Sequence, residues 1–391
     1  PILKKMLMAA GMAAVMTACG TAGQKAATDA GNPFLAEYST PFGVPPFDLI
    51  KVEHYKEAFL KGMEEQKKEI DAIVNQRSVP DFDNTIAAFD QSGELLNKVS
   101  TVFSGLNSCN TNDEMQAFNK EITPLLSAHR DDISLNPALF ARVKEVYERR
   151  EKLGLDKEQN KLLEETYKKF VRGGANLDSV DQAKLRQLNS EISMLQLTFG
   201  QNLLKETNAF ELVIDKKEDL AGLPESLVAS AAEAAKGAGM EEKWLFTLHN
   251  PSVMPFLQYA DNRELREKIF KGYINRGNNG NEADNNEIVK KLVALRLEKA
   301  KLMGYADYAS YILEDRMAKN EENVYRLLNQ IWTPAVAKAK EELSDIQSEI
   351  KKEGANFTPE GWDWRYYFEK AKKAKFSLDE NEVRPYLELN N

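Results

Sequence analysis

Residues 361–391 read GWDWRYYFEKAKKAKFSLDENEVRPYLELNN, and the reading of the fold turns on them. Four large aromatics, Trp362, Trp364, Tyr366 and Tyr367, fall within six positions. A basic run and Phe376 come next, then an acidic turn and Arg384-Pro385-Tyr386-Leu387. Arg384-Pro385 should end a helix, because proline disfavours helical geometry in the residue before it. The rings could stack a substrate, but aromatics at this density serve a core first, and an interface between lobes is the reading preferred here. Almost no chain follows to cover them, so the sequence is expected to be part of a longer protein.

Upstream, the pattern is helical almost throughout. Tyr55, Phe59, Met63, Ile70 and Val74 recur at helical spacing. Asn107 to Asn112 is a polar break, and Pro124 predicts a kink in the next helix. Asn136-Pro137 opens another helix, proline being tolerated in a first turn. Ser179-x-x-Gln182 reads as a capping box. It opens a helix striped by Leu185, Leu188, Ile192, Leu195, Phe199 and Leu203. Over about 28 residues that rod is roughly 40 Å long. Met194, Leu197 and Leu204 widen its apolar face, which favours a core helix over a coiled-coil arm.

One region reads as strand. Residues 210–214 (FELVI) and 244–248 (WLFTL) are apolar and rich in β-formers, with an Ala-rich helix between them. The fold class is therefore all-α with one small β-ribbon near 210–248. A boundary is expected near Asn250-Pro251. Beyond it, residues 262–276 and 286–303 are amphipathic helices around a polar Gly/Asn loop at 277–286. A long helical pattern from 320 to 354 is expected to break at Thr333-Pro334.

The chain holds 52 basic and 61 acidic residues, a net charge of −9, which argues against nucleic acid or an anionic membrane surface as partner. The first twenty residues set Lys4 and Lys5 before an apolar run from Met6 to Met16. That is a secretory signal, too short to span a bilayer. Val15-Met16-Thr17-Ala18-Cys19 resembles the bacterial lipobox. The resemblance implies cleavage before Cys19, diacylation of its thiol, and an exported, membrane-anchored lipoprotein. Residues 1–18 are then signal, 19–46 a tether, 47–250 an N-terminal helical domain and 251–391 the start of a second domain. The chain begins at Pro1, and its very start is expected to be missing. Cys109, the other cysteine, is read as a small buried or half-buried residue.

Chemistry is sparse. Zinc-dependent peptide hydrolysis needs two imidazoles one helical turn apart, a carboxylate base and a third ligand. The three histidines, His54, His129 and His249, are far apart, and H-E-x-x-H is absent. No G-x-S-x-G, Walker loop or G-x-G-x-x-G occurs. Carboxylates alternate with lysines on helices, as solvated faces do. No catalytic or metal-binding residue is nominated from this chain.

The W-D-W-x-Y-Y-x-E pattern, with its K-F-x-L-D and R-P-Y-x-E-L-N continuation, closely resembles the peptidyl-dipeptidase branch of the thimet-oligopeptidase family of zinc metallopeptidases. Residues 131–143, 189–202 (NSEISMLQLTFGQN), 250–277 and 296–308 (RLEKAKLMGYADY) are similar to the same family. The resemblance implies an almost wholly helical two-lobed enzyme with a deep channel, acting on short peptides and releasing C-terminal dipeptides. It implies one zinc, held by H-E-x-x-H and a downstream glutamate. None of those positions falls within these 391 residues, so this part alone is expected to be inactive and to bind no stoichiometric zinc. The alternative kept open is a non-catalytic helical surface lipoprotein that binds peptides or a protein partner. Either is expected to be a monomer.

Overall fold

The computed structural model describes residues 31–377 and 384–387. Cys19 and the expected signal segment lie outside them. Helices come first: α1 (Val52–Val74), the single turn α2 (Ala88–Asp90), α3 (Glu94–Cys109), α4 (Asp113–Ser134), α5 (Pro137–Glu148), α6 (Lys157–Arg172) and α7 (Ser179–Ala209). The ribbon follows, β1 (Leu212–Ile214), α8 (Glu225–Gly237) and β2 (Trp244–Phe246). Then come α9 (Asn250–Tyr259), α10 (Arg263–Ile274), α11 (Asn286–Leu302), α12 (Tyr308–Leu313), α13 (Glu321–Lys352) and α14 (Gly361–Phe376). The mainly helical class with one small ribbon is as the sequence indicated. β1 and β2 pair antiparallel, with Val213 opposite Leu245.

Apolar faces gather into separate clusters. Tyr55 and Phe59 of α1 meet Phe103 of α3 and Phe118 of α4. Ile70 and Ile73, further along α1, join Leu139 and Val143 of α5 and Phe170 of α6. A third cluster buries Leu212 and Ile214 of β1 and Phe246 of β2 against Phe256 of α9 and Ile269 of α10. The boundary drawn between residues 250 and 251 runs through this cluster, because α9 supplies the face that covers the ribbon. A fourth joins Ile346 and Ile350 to Tyr366 and Tyr367.

Several local expectations are corrected. The tether does not extend through residue 46 as a free segment. Phe34 is buried with Tyr55, and Lys98 donates to the Phe34 and Ala36 carbonyls, fastening this stretch to α3. Pro124 and Pro334 both lie inside uninterrupted helices. A proline removes one donor from the ladder, and helices of 22 and 32 residues retain the rest. α7 is capped by Asp178, whose carboxylate accepts from the Val180 and Asp181 amides, so Ser179 is its first residue and not its cap. Cys109 is exposed at the end of α3. The last helix ends at Phe376, with Ser377 left-handed, well before Arg384-Pro385, which starts a short 3-10 turn.

Candidate functional site

The segments that resemble the peptidase family meet at two polar nodes. The first joins α10 to α14. Asp363 is fully buried in the first turn of α14 and takes the Glu360 amide at 3.0 Å, capping its own helix. It also accepts from Arg263 Nε and Nη2, at 2.9 and 2.7 Å, and from Arg266 Nη2, at 3.0 Å. Burial alone would raise this carboxyl's pKa. The hydrogen bonds from Arg263, the Glu360 amide and Arg266 outweigh it and hold the group below the ordinary aspartate value. Arg266 is buried with a partner for each nitrogen, giving Nη1 to the Ala260 and Asp261 carbonyls and Nε to that of Trp362. Its guanidinium lies 4.0 Å from the Tyr366 ring, whose hydroxyl donates to Asp261. Trp362 packs edge-on against Phe270. The Trp-Asp-Trp cluster is thus core, covered by α9, α10 and α13, which precede it in sequence.

The second node is a ladder along α7, between α4 and α11. Asn189 donates to Asp131 at 2.8 Å and accepts from Lys299 at 2.6 Å. Burial pushes the Asp131 carboxyl up, against the opposing pull of Asn189, Arg186 and Lys299, and pushes the Lys299 ammonium down. Further along, Gln201 donates to the Gln116 side chain and Asn202 to Asn285. At the end of the ladder Glu206, nearly buried, accepts from the Gly277 amide and from Asn279 and Asn281. The Gly/Asn loop is therefore pinned. No local pattern signals this, since Glu206 lies 71 to 75 residues from its donors.

Neither node offers hydrolytic chemistry, because every charged group in them is spent on holding helices together. The histidines stay apart. His54 accepts the Lys51 amide at the start of α1, His129 contacts Gln66, and His249 bridges Thr247 and Asn208. Among the described residues no group of three or more His, Cys, Asp or Glu is placed to hold a metal ion. The described residues do not fit a zinc site.

What the chain does present is an uncovered face. Over its first half α13 exposes Tyr325, Leu327, Leu328, Ile331 and Trp332, with Trp332 at 69%. Buried positions on this helix begin only at Ile346. α11 exposes Val289, Val293 and Leu297, four residues apart on one side. Runs of exposed apolar side chains such as that along α13 mark interaction sites.

Comparison with known proteins agrees with these segments. Residues 256–391 match the model of peptidase family M3. The chain is 40% identical over 359 residues to dipeptidyl carboxypeptidase of Escherichia coli (strain K12), covering 92% of this chain and 53% of that protein. It is 29% identical over 354 residues to oligopeptidase A of Haemophilus influenzae, covering 89% of this chain and 51% of that protein. The chain thus spans about half the length of the relatives it matches. Residues 256–391 thus carry the peptidase family M3 match, and over most of its length the chain is similar to dipeptidyl carboxypeptidase.

Proposed function

We propose that the chain is the N-terminal half of a zinc-dependent metallopeptidase that cleaves short peptides and releases C-terminal dipeptides. The observation that carries this reading is the 40% identity to a dipeptidyl carboxypeptidase across 92% of the chain. The metal ligands and the general base then belong to residues beyond Asn391, and the exposed face of α13 and α11 seats that second half. The residues described here position rather than react. Arg266 and Asp363 hold α14 to α10, and the α7 ladder fixes the N-terminal helices to α11.

The test is direct. The reading frame should continue past Asn391 and encode H-E-x-x-H. The longer protein should release dipeptides from a short peptide with a free C-terminus and lose that activity to a chelator. The 391-residue chain alone should not. A stop codon at position 392 of the intact gene, or chelator-sensitive cleavage by this chain alone, overturns the proposal.

We also propose export and anchoring through a lipid on Cys19. Labelling with a radioactive fatty acid should be lost in Cys19→Ser, and persistence of the label would refute the assignment. The second reading, a non-catalytic lipoprotein that binds peptides or a protein partner, draws support from one observation: Tyr366 and Tyr367 are covered within the chain itself. Limited proteolysis separates the two. Rapid loss of everything after Pro359 counts against this second reading.

A further inference from the structure

A cavity of about 590 Å³ lies between the two N-terminal apolar clusters. Leu96 and Leu126, which line one side, pack on the cluster of α1, α3 and α4. Phe89, Ile133 and Phe170, on the other side, belong with the cluster of α1, α5 and α6. Protein interiors are normally close-packed, so a gap of this size between two cores forfeits contacts on both of its walls. Its volume falls in the range of about 300 to 1,000 Å³ typical of small-molecule sites.

Its lining holds the neutral polar side chains Gln66, Ser100, His129 and Ser134, and its two formally charged residues are both cations. Arg130 and Lys169 are exposed residues of the lining, and neither makes an ion pair among the described residues. Arg130 gives only Nε, to the Leu126 carbonyl one turn back. The nearby carboxylates are already committed. Glu69 accepts the Gly93 amide, and Asp132 pairs with Lys67 and Arg186. His129, in the wall, is 3% exposed. Its Nε2 faces Gln66 Oε1 at 2.7 Å, while the Gln66 amide nitrogen faces the Ser92 carbonyl. With Gln66 in this orientation Nε2 donates, and Nδ1 is buried with no partner among the described residues. Burial, with Lys67 nearby, lowers the imidazole pKa and keeps it neutral. The wall is therefore mainly apolar with a few neutral polar groups, and the charge in the lining is two exposed cations.

We propose that this cavity binds a small amphipathic carboxylate, its apolar body between the two clusters and its carboxylate at Arg130 and Lys169. The site is independent of the peptidase reading. It uses α1, α2, α3, α4 and α6 and none of the residues expected to carry hydrolysis.

Isothermal titration of the 391-residue chain with decanoate tests this, with decanol and hexanoate as comparisons. Decanoate should bind saturably at one per chain, and decanol and hexanoate each at least tenfold more weakly. Arg130→Glu with Lys169→Glu, two exposed changes that leave the core intact, should weaken decanoate at least tenfold and leave decanol unchanged. Ser100→Phe, which fills the cavity from α3, should abolish both. The proposal is overturned by the absence of saturable decanoate binding, by equal binding of decanoate and decanol, or by undiminished binding in the charge-reversed variant.

Discussion

Replacing Asp363 with Asn keeps the side chain's shape and removes its charge. Arg263 is 39% exposed and can turn to water, whereas Arg266 is 1% exposed and cannot. The loss therefore falls on Arg266. Removing one member of a buried ion pair costs about 3–5 kcal/mol. Arg266 keeps three backbone carbonyls, so we expect the lower end, about 3 kcal/mol. With an unfolding entropy of about 2.1 cal/mol/K per residue over roughly 350 residues, this lowers Tm by about 4 °C. Urea titration followed by tryptophan fluorescence suits the measurement, since Trp362 and Trp364 flank the substitution. Arg263→Gln should lose under about 1 kcal/mol, as partly exposed pairs do. The sign with pH follows from the lowered carboxyl pKa. The stabilising contribution of Asp363 is complete above the unfolded value of about 3.9 and is lost as pH falls through the folded value. The gap between wild type and Asp363→Asn should therefore be constant near neutrality and close in acid. The reasoning is refuted if Asp363→Asn loses no more than Arg263→Gln, or if the gap widens as pH falls.

Three further outcomes follow from other elements. Glu206→Ala strands the Gly277 amide and two asparagine side chains, and should cost about 1–3 kcal/mol and open residues 277–286 to hydrogen exchange; unchanged protection there would contradict the pinned loop. Gly62 lies where α1 crosses α3, and a Cβ on it would sit 2.9 Å from the Leu96 backbone. Gly62→Val should therefore destabilise by about 1–3 kcal/mol in a denaturant titration, despite valine's better helix propensity. Cys109 should react with a maleimide in the native protein, as mapped by mass spectrometry, and Cys109→Ser should change stability by no more than about 0.5 kcal/mol.

What could be read from the sequence was whatever repeats locally. The 3-4 spacing of Leu185, Leu188 and Ile192 gave α7 and its buried face, and the β-forming runs at 212–214 and 244–246 gave the ribbon. The errors arose where a local signal was outweighed by length or by a distant partner. Pro334 carries a breaker's signal, yet it sits in a helix long enough to tolerate one missing bond. Residues 20–46 taken together have a linker's composition, yet Lys98, more than sixty positions away, fastens the Phe34–Ala36 stretch down. Cys109 follows the general burial of cysteine in expectation only, because α3 ends there and its last turn faces solvent. The nodes themselves were invisible: nothing beside Arg266 or Asp363 announces a partner 97 residues off. The resemblance marked both segments without saying that they touch.

That separation has a consequence for synthesis on the ribosome. At about 5–20 residues per second, Asp363 is translated roughly 5 to 20 seconds after Arg266. Throughout that interval the guanidinium has no carboxylate to accompany it out of water, so α10 cannot settle permanently beside the ribbon. The register of the whole C-terminal region is fixed late, by a residue that caps its own helix and completes an older one in the same event.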